Sequence, residues 1–446
     1  MTLLDEAIKL LQELVQNSCV NPPGNEMKSI QSIARYLDTH EIRYEIFESA
    51  PNRGNLFAEI EGSEKGPSLM LGPGHVDVVP VEDPSIWAVP PFSGEIKDDY
   101  IWGRGTVDML FMVVSQVIAF THLWKEGFRP KGDVKLLIVA DEEAAGKYGT
   151  KWMIENYPDR IKSDYVVSEM GGFRMGEGLF LYQYGEKGGS WLRLTAKGTE
   201  QHGSMPYQAN NAVEKIGNAI VKLSQYDAPV DTTYVKLLVE GLPIQGVQKR
   251  LISSNLTVNK AIEIMAKSNL EQAKLIHALT RMTISPNLVS GGTKVNVVAG
   301  EAHVDIDVRS LPGQDREYIH NLLQDALGDL AEDIDIGPVP EDAGSEPSYG
   351  NASEIDTPLV TVMGDVLKEL VGNDATLVPL LSPGVTDCRF FRLKWNSQAY
   401  GFSIFDDRLP MGEVMAMIHG PNERISIGSL DLTLRGYKRI VEQFCS

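Results

Sequence analysis

The stretch Leu136–Gly146 reads LLIVADEEAAG. An apolar run ends there in three adjacent acidic residues, Asp141, Glu142 and Glu143. The run lacks polar alternation, and this pattern is typical of a strand that is covered on both faces. Carboxylates this close together repel one another unless a positive charge lies among them. The stretch therefore predicts a buried strand that ends at a site for a cation.

Similar short runs lie on both sides of this strand. The strand-like runs are residues 54–60, 68–72 and 164–168, and a helix of about 108–126 lies between the run 68–72 and the strand of residues 134–140 that precedes the acids. Strands that alternate with helices predict an α/β domain with a mainly parallel sheet.

A second pattern begins near residue 187, where apolar and polar residues alternate as in a half-exposed strand. Without a mostly helical insert at about 228–282, the pattern predicts the order β-α-β-β-α-β, which is ferredoxin-like and of α+β type. We therefore expect a discontinuous catalytic domain of residues 1–186 and 341–446. An inserted domain of residues 187–340 interrupts it.

Composition narrows the function classes. The 446 residues are 43% hydrophobic and carry a formal net charge of -20. This charge argues against nucleic-acid or anionic-membrane binding through bulk electrostatics. The cysteines Cys19, Cys388 and Cys445 form no CxxC pair, and the N-terminal helix pattern has no signal-peptide character. We expect no apolar stretch of membrane-spanning length, and a soluble, cytoplasmic protein.

Side chains suited to metal binding follow the predicted strands. They are His75 and Asp77 after 68–72, Glu142 and Glu143 after 134–140, Glu169 after 164–168, Asp108 at a helix start, and His419 in a glycine-proline loop. Ligands of parallel α/β sheets bind at the carboxyl ends of the strands, so we expect these groups to meet at one edge. Imidazole and carboxylate suit zinc best, with cobalt or manganese as alternatives.

Each segment by itself has a simpler explanation. The pair His75 and Asp77 could form a hydrogen bond within a loop, and the acids after residue 140 could cap a helix. Their occurrence together at strand ends favours a metal site. Hydrolysis at such a site also needs a base that takes a proton from water, and Glu142 and Glu143 can divide the two roles.

The segments that carry these residues resemble peptidase family M20, a group of dinuclear-zinc amidohydrolases. The family includes aminoacylase, acetylornithine deacetylase, succinyl-diaminopimelate desuccinylase and several carboxypeptidases. The resemblance covers nearly the whole chain, and its motifs occur in the family's order. They are NPPGNE, GHVDVVP, GRGTVD, DEEAAG, SEMGG, GTEQHGSMP, KVNVVAG, VDIDVRSLPG, GVTDCRFF and HGPNERIS.

The resemblance implies a role for each predicted site residue. Asp108 bridges two zinc ions, His75 and Glu169 complete one ion, and Glu143 and His419 complete the other. Asp77 orients His75, and Glu142 is the general acid/base. The peptide bond after Asp108 is often cis in this family.

The resemblance also makes the inserted domain a lid and dimerisation domain of a homodimer. His202 then stabilises the oxyanion in the partner subunit's active site, and Arg309 binds a substrate carboxylate. Asn296 and Gly384 are further expected substrate contacts. The simpler alternatives are a locally hydrogen-bonded histidine for His202 and a structural ion pair for Arg309.

The function implied is hydrolysis of an amide bond in N-acyl amino acids or in short peptides with a free carboxylate. A metal-bound hydroxide attacks the carbonyl, and Glu142 moves the proton. An aminopeptidase or dipeptidase of the same family is one alternative. A catalytically silent relative that binds a ligand is the other.

Overall fold

The computed structural model describes residues 2–244, 246–340 and 347–446. The chain divides into two units. Unit 1 comprises Met1–Tyr184, Ser353–Leu380 and Thr386–Ser446, and unit 2 comprises Gly185–Ala352 and Leu381–Val385. Unit 2 thus begins next to the expected boundary at residue 187, and it also takes in Leu381–Val385, which we expected in the catalytic domain. The expected boundary at residue 341 adjoins residues 341–346, which lie outside the described residues.

Helices and strands are numbered along the chain. The helices are α1 (Leu3–Asn17), α2 (Met27–Asp38), α3 (Phe111–Lys125), α4 (Thr150–Asn156), α5 (Pro158–Ile161), α6 (Ala212–Gln225), α7 (Thr233–Gly241), α8 (Gly246–Ile252), α9 (Val258–Ala266), α10 (Leu270–Leu279), α11 (Arg316–Leu327), α12 (Pro358–Val371), α13 (Cys388–Trp395), α14 (Met411–Met417) and α15 (Ile427–Phe444). The strands are β1 (Tyr44–Ala50), β2 (Arg53–Ile60), β3 (Leu69–His75), β4 (Ile96–Lys97), β5 (Tyr100–Trp102), β6 (Val134–Val139), β7 (Tyr165–Ser168), β8 (Leu179–Glu186), β9 (Ser190–Lys197), β10 (Thr283–Gly291), β11 (Glu301–Arg309), β12 (Ile334–Pro338), β13 (Asn351–Ala352), β14 (Thr376–Ser382), β15 (Gln398–Gly401) and β16 (Arg424–Ser426).

The main sheet of unit 1 runs in the order β1-β2-β6-β3-β7-β15-β8. The centre, β6-β3-β7-β15, is parallel. The flanking strands join antiparallel, as β1 to β2, β2 to β6 and β8 to β15. The α/β fold with a mainly parallel central sheet is thereby confirmed.

The centre of this sheet is covered on both faces. Every residue of β3 and β6 is buried, as their continuous apolar sequences predict. Helix α3 lies against α15 and α1, and Phe111 and Phe120 in α3 are fully buried. The strand ends therefore project from a rigid core, and the residues that follow them are held in place by it.

One expectation about membranes is wrong. Thr106–Lys125 is long and apolar enough, by length and composition, to cross a bilayer. Its most apolar window is 89% buried inside the protein. A core helix that packs on all sides shows the same all-round hydrophobicity as a membrane span, and α3 is such a helix.

Unit 2 contains an antiparallel sheet with the order β10-β11-β9-β12. Helix α6 follows β9, and α11 lies between β11 and β12, so the chain order is β-α-β-β-α-β as predicted. The core of this unit includes Leu194 of β9, Ile216 of α6, Val304 of β11 and Leu323 of α11. Helices α7 to α10 form the predicted insert between α6 and β10.

Phe120→Ala tests the role of α3 as the core helix of unit 1. Phe120 is 0% exposed, and removal of a fully buried aromatic side chain costs about 3–5 kcal/mol of folding free energy. We expect a matching loss in guanidinium unfolding followed by circular dichroism. Leu393→Ala is the control, because Leu393 is 55% exposed and should change stability by less than about 0.5 kcal/mol. Equal effects of the two substitutions would contradict this role.

Candidate metal centre

The predicted ligand residues lie at the carboxyl ends of the parallel strands of unit 1. His75 is the last residue of β3, and Glu169 directly follows β7. Glu142 and Glu143 lie three and four residues after Val139, the last residue of β6. β3 lies between β6 and β7, so the three chain segments leave the sheet side by side. The sheet order therefore brings these residues to one edge, as expected from the sequence.

Asp108 and His419 reach the same place from irregular segments. Asp108 lies in the turn Thr106–Leu110, directly before α3, and the peptide bond from Asp108 to Met109 is cis. His419 follows α14 and has a φ of 60°, in the left-handed region. We call His75, Asp108, Glu142, Glu143, Glu169 and His419 the His/carboxylate cluster.

Asp108 occupies the middle of the cluster. Its Oδ1 lies 3.2 Å from Nε2 of His75, and its Oδ2 lies 3.4 Å from Nε2 of His419. Nε2 of His75 is also 3.4 Å from Glu169 Oε2. Nε2 of His419 is 3.1 Å from Glu143 Oε2. Each oxygen of Asp108 thus faces a different histidine, and each histidine faces one further glutamate.

Glu142 differs from Glu143 in its surroundings. Ligand atoms of His75, Glu142 and Glu169 lie within 4.8 Å of one another, as do those of His75, Asp108 and Glu143. In the described part of the chain, however, neither cluster histidine forms an ion pair with Glu142. Its carboxylate therefore belongs to the cluster without the imidazole partner that Glu143 has.

The pKa values of several cluster residues are raised, as expected where buried carboxylates lie close together. Burial, reinforced by the charge of Asp108, raises the pKa of Glu169 to about 8 although His75 opposes the shift. Burial and the neighbouring charge of Glu169 raise the pKa of Glu142 well above its usual range. Hydrogen bonds to Asp108 and Glu143 raise the pKa of His419 to about 10. Carboxylates and imidazoles here retain protons that a divalent cation would replace.

The donor set fits divalent metal. Imidazole nitrogen and carboxylate oxygen are the donors that zinc takes at catalytic sites, and cobalt and manganese accept them as well. The side chains of His75, Glu143 and Glu169 are 1%, 6% and 5% exposed, whereas that of His419 is 53% exposed. One side of the cluster is therefore closed by the sheet, and the His419 side is open to solvent.

Asp77 supports two parts of the cluster. Nδ1 of His75 lies 3.0 Å from the main-chain oxygen of Asp77 and 3.6 Å from its Oδ1, which turns Nε2 toward the cluster. The same carboxylate accepts hydrogen bonds from the main-chain nitrogens of Glu142 and Glu143, at 3.2 Å and 3.1 Å. Asp77 therefore orients His75 and also fixes the turn that carries both glutamates.

Asp141, the first acid of the DEE sequence, has its partners outside the cluster. It forms a buried ion pair with Arg53, which also binds Glu26 at 2.7 Å. Asn21 Nδ2 donates to Asp141 Oδ1 and to Asp77 Oδ2, each at 2.9 Å. The three adjacent acids are thus stabilised in two ways, because Arg53 neutralises one and the cluster takes the other two.

Sequence reasoning missed two further buried acids beside the cluster. Glu423 accepts hydrogen bonds from the segment that carries Asp108, and Arg104 pairs with it at 2.8 Å. Asp387 accepts a 2.6 Å hydrogen bond from Thr150 Oγ1, and burial raises its pKa. Both acids lie within motifs quoted above, HGPNERIS and GVTDCRFF, so their place in the motifs was the available signal.

The predicted substrate residues lie in unit 2. Nδ1 of His202 accepts a 3.1 Å hydrogen bond from the main-chain nitrogen of Ser204. Arg309 forms an ion pair with Asp307 at 2.8 Å. The main-chain oxygen of Asn296 accepts a 2.9 Å hydrogen bond from the nitrogen of Gly203. Gly384 donates its main-chain N–H to Ser382 Oγ at 3.1 Å. Their roles toward substrate stay predictions.

An α/β unit with a His/carboxylate cluster at the carboxyl ends of its parallel strands has the fold and the donor atoms of a metal-binding α/β protein. Comparison with known families gives the particular family. The profile of Peptidase family M20/M25/M40 matches residues 73–443, and the chain belongs to this family.

The chain also resembles individual proteins over nearly its full length. It is 26% identical over 406 residues to a probable succinyl-diaminopimelate desuccinylase of Staphylococcus aureus, covering 91% of this chain and 90% of the relative. An M20 family metallo-carboxypeptidase from Sulfolobus solfataricus has a TM-score of 0.70 at 20% identity, with 99% of both chains covered. A dinuclear metal binding peptidase of the M20 family from Bacillus subtilis has a TM-score of 0.63 at 14% identity, with 99% of this chain and 98% of the other covered.

Metal binding should release protons. At pH 7 the raised pKa values of Glu169, about 8, and His419, about 10, keep both groups protonated, and a metal must displace these protons. We expect the heat of zinc binding to depend on the ionisation enthalpy of the buffer, with more than one proton released per chain. Because the groups lose their protons as pH rises, the release should fall between pH 7 and pH 10.

Glu169→Gln is the matched control for this titration. The amide has no proton of this kind to lose, so the variant should release about one proton fewer at pH 7. A binding heat that is the same in every buffer would contradict the assignment of these groups as ligands.

Proposed function

We propose that the cluster holds two zinc ions that share Asp108. We further propose that the enzyme hydrolyses an amide bond in N-acyl amino acids or in short peptides with a free carboxylate. The observation that carries the proposal is that the two oxygens of Asp108 face two different histidines. His75 and Glu169 would hold one ion, and Glu143 and His419 the other. The similarity to a probable desuccinylase and to a metallo-carboxypeptidase supports this substrate class.

The metal pair, when bound, would supply Lewis acidity that polarises the substrate carbonyl and acidifies water. Glu142 supplies the proton transfer. Among the described residues, its carboxylate forms no ion pair with the imidazoles that pair with Glu143 and Glu169, and burial and the charge of Glu169 raise its pKa. Glu142 takes a proton from the attacking water as the C–O bond forms. It then gives this proton to the amine nitrogen as the C–N bond breaks, so that the proton is balanced over the reaction.

Arg309 is our candidate for recognition of the substrate carboxylate. A guanidinium can bind a carboxylate through two parallel hydrogen bonds, and its side chain is 30% exposed. Asp307 holds the guanidinium of Arg309 in the ion pair described above. His202 is the candidate that stabilises the developing oxyanion, because its side chain is exposed and its Nε2 is not used by the contact with Ser204.

Glu142→Gln, assayed across a substrate panel, tests the reaction. The panel contains N-acetyl, N-succinyl and longer N-acyl amino acids together with free dipeptides, and amine release is measured with added zinc or cobalt. We expect wild-type turnover of acylated substrates, and a loss of about 10²–10⁴-fold in kcat for Glu142→Gln with its metal content unchanged. Glu155→Gln, the same substitution at an exposed position, should keep full activity.

The panel also separates the alternatives. Turnover of free dipeptides and not of acylated substrates would replace our proposal with an aminopeptidase or dipeptidase. Bound metal without release from any substrate would favour a ligand-binding relative. Full activity of Glu142→Gln would contradict the role of Glu142. A carboxamide in place of the substrate carboxylate should raise KM if Arg309 binds that group, and an unchanged KM would exclude the contact.

We also propose that the protein is a homodimer and that unit 2 supplies the interface. β10 is an edge strand of the described sheet, and its Leu288 and Val289 are 67% and 66% exposed. Exposed apolar residues on an edge strand favour pairing with another chain. We expect Leu288→Lys to shift the protein from dimer to monomer in sedimentation velocity. A wild-type chain that sediments as a monomer would contradict the proposal.

A further inference from the structure

Glu423 is a completely buried acid whose carboxylate is fully used by one short segment. Each of its two oxygens accepts two hydrogen bonds. Oε2 binds the N–H of Gly105 and Nη1 of Arg104, each at 2.8 Å. Oε1 binds the N–H of Val107 at 2.8 Å and the N–H of Asp108 at 3.1 Å. The carboxylate thus organises the main chain up to and including Asp108.

The same acid ties this segment to the loop of His419. β16 begins directly after Glu423 and pairs antiparallel with β5, which ends directly before Gly103. The N–H of Gly103 donates to the main-chain oxygen of Glu423 at 2.9 Å. Nη2 of Arg104 donates to the main-chain oxygen of His419 at 3.1 Å. Glu423 and Arg104 therefore connect the two irregular segments that deliver Asp108 and His419.

We propose that Glu423 is a positioning residue that holds Asp108 and His419 in register for a shared metal position. This inference rests on the proposed metal centre. His75 and Glu169 do not need this support, because β3 and β7 place them at the ends of buried strands. Loss of Glu423 should therefore affect the two metal positions unequally.

A glutamine cannot replace this carboxylate. An amide has one acceptor oxygen, and its NH₂ group would face main-chain N–H donors that then lack a partner. The substitution also leaves Arg104, which is 3% exposed, without its counter-ion. The segment that carries Asp108 should then move relative to the His419 loop, and the position formed by Glu143, His419 and Asp108 should bind metal more weakly.

The test is a zinc titration of metal-free protein against a chromophoric chelator, repeated with cobalt(II) to follow ligand geometry by visible absorption. We expect wild type to bind two tight metals per chain. We expect Glu423→Gln to keep one tight metal and to bind the second about 10–100-fold more weakly. Glu413→Gln is the matched control, because Glu413 forms an ion pair with Arg424 at the surface and should leave both metals tight.

Two tight metals in folded Glu423→Gln would overturn the inference. Equal weakening of both metals with unchanged circular dichroism would also overturn it, because Glu423 supports two ligands of the His419 position, Asp108 and His419, and only Asp108 of the His75 position. Glu423→Asp keeps the charge and should lie between wild type and Glu423→Gln, and it replaces the glutamine variant if that does not fold. Equal affinities of the Asp and Gln variants would count against the proposal. Fewer than two metals in wild type would contradict the metal centre instead.

Discussion

Repulsion among carboxylates at one edge of the sheet is the constraint on which the rest of the site depends. Asp108, Glu142, Glu143 and Glu169 approach one another in a largely buried space, where charges interact strongly. Such a group stays together only if the backbone that carries it is held by other interactions and if positive charge joins it. In unit 1 the carboxylate of Asp77 holds the turn that carries Glu142 and Glu143. The imidazoles of His75 and His419 lie among the carboxylates.

The backbone segments that carry the cluster are held by buried ion pairs and hydrogen bonds whose partners lie outside the cluster. Arg53 neutralises Asp141, which directly precedes Glu142 and Glu143, and Arg104 neutralises Glu423, which binds the N–H of Asp108. The carboxylate of Asp77 accepts hydrogen bonds from the main-chain nitrogens of the turn after β6. A buried pair adds little stability over apolar packing, but loss of one partner leaves an unpaired charge. These pairs therefore serve position more than stability.

Much of the fold and of the cluster could be predicted from the sequence, because continuous apolar strands and the acids after them leave clear local patterns. β3, β6 and β7 were predicted this way, and their carboxyl ends gave the cluster its place. Glu423 could not be assigned in this way, since its function depends on the pairing of β16 with β5, more than 300 residues away in the chain. The helix that contains α3 was predicted, but the apolar length of Thr106–Lys125 was underestimated. Its burial inside the protein distinguishes it from a membrane span.

The proposed roles of the two acids after Asp141, Glu142 as base and Glu143 as ligand, rest on the same geometry. Glu143 has His419 as a partner, and Glu142 does not share it. A single short turn can therefore offer one ligand and one base, provided that two metal positions lie on either side of Asp108. The most direct measurement of this claim is anomalous diffraction from zinc-loaded crystals. The account predicts two peaks flanking Asp108, one beside His75 and Glu169 and one beside Glu143 and His419. A single peak, or peaks away from Asp108, would contradict it.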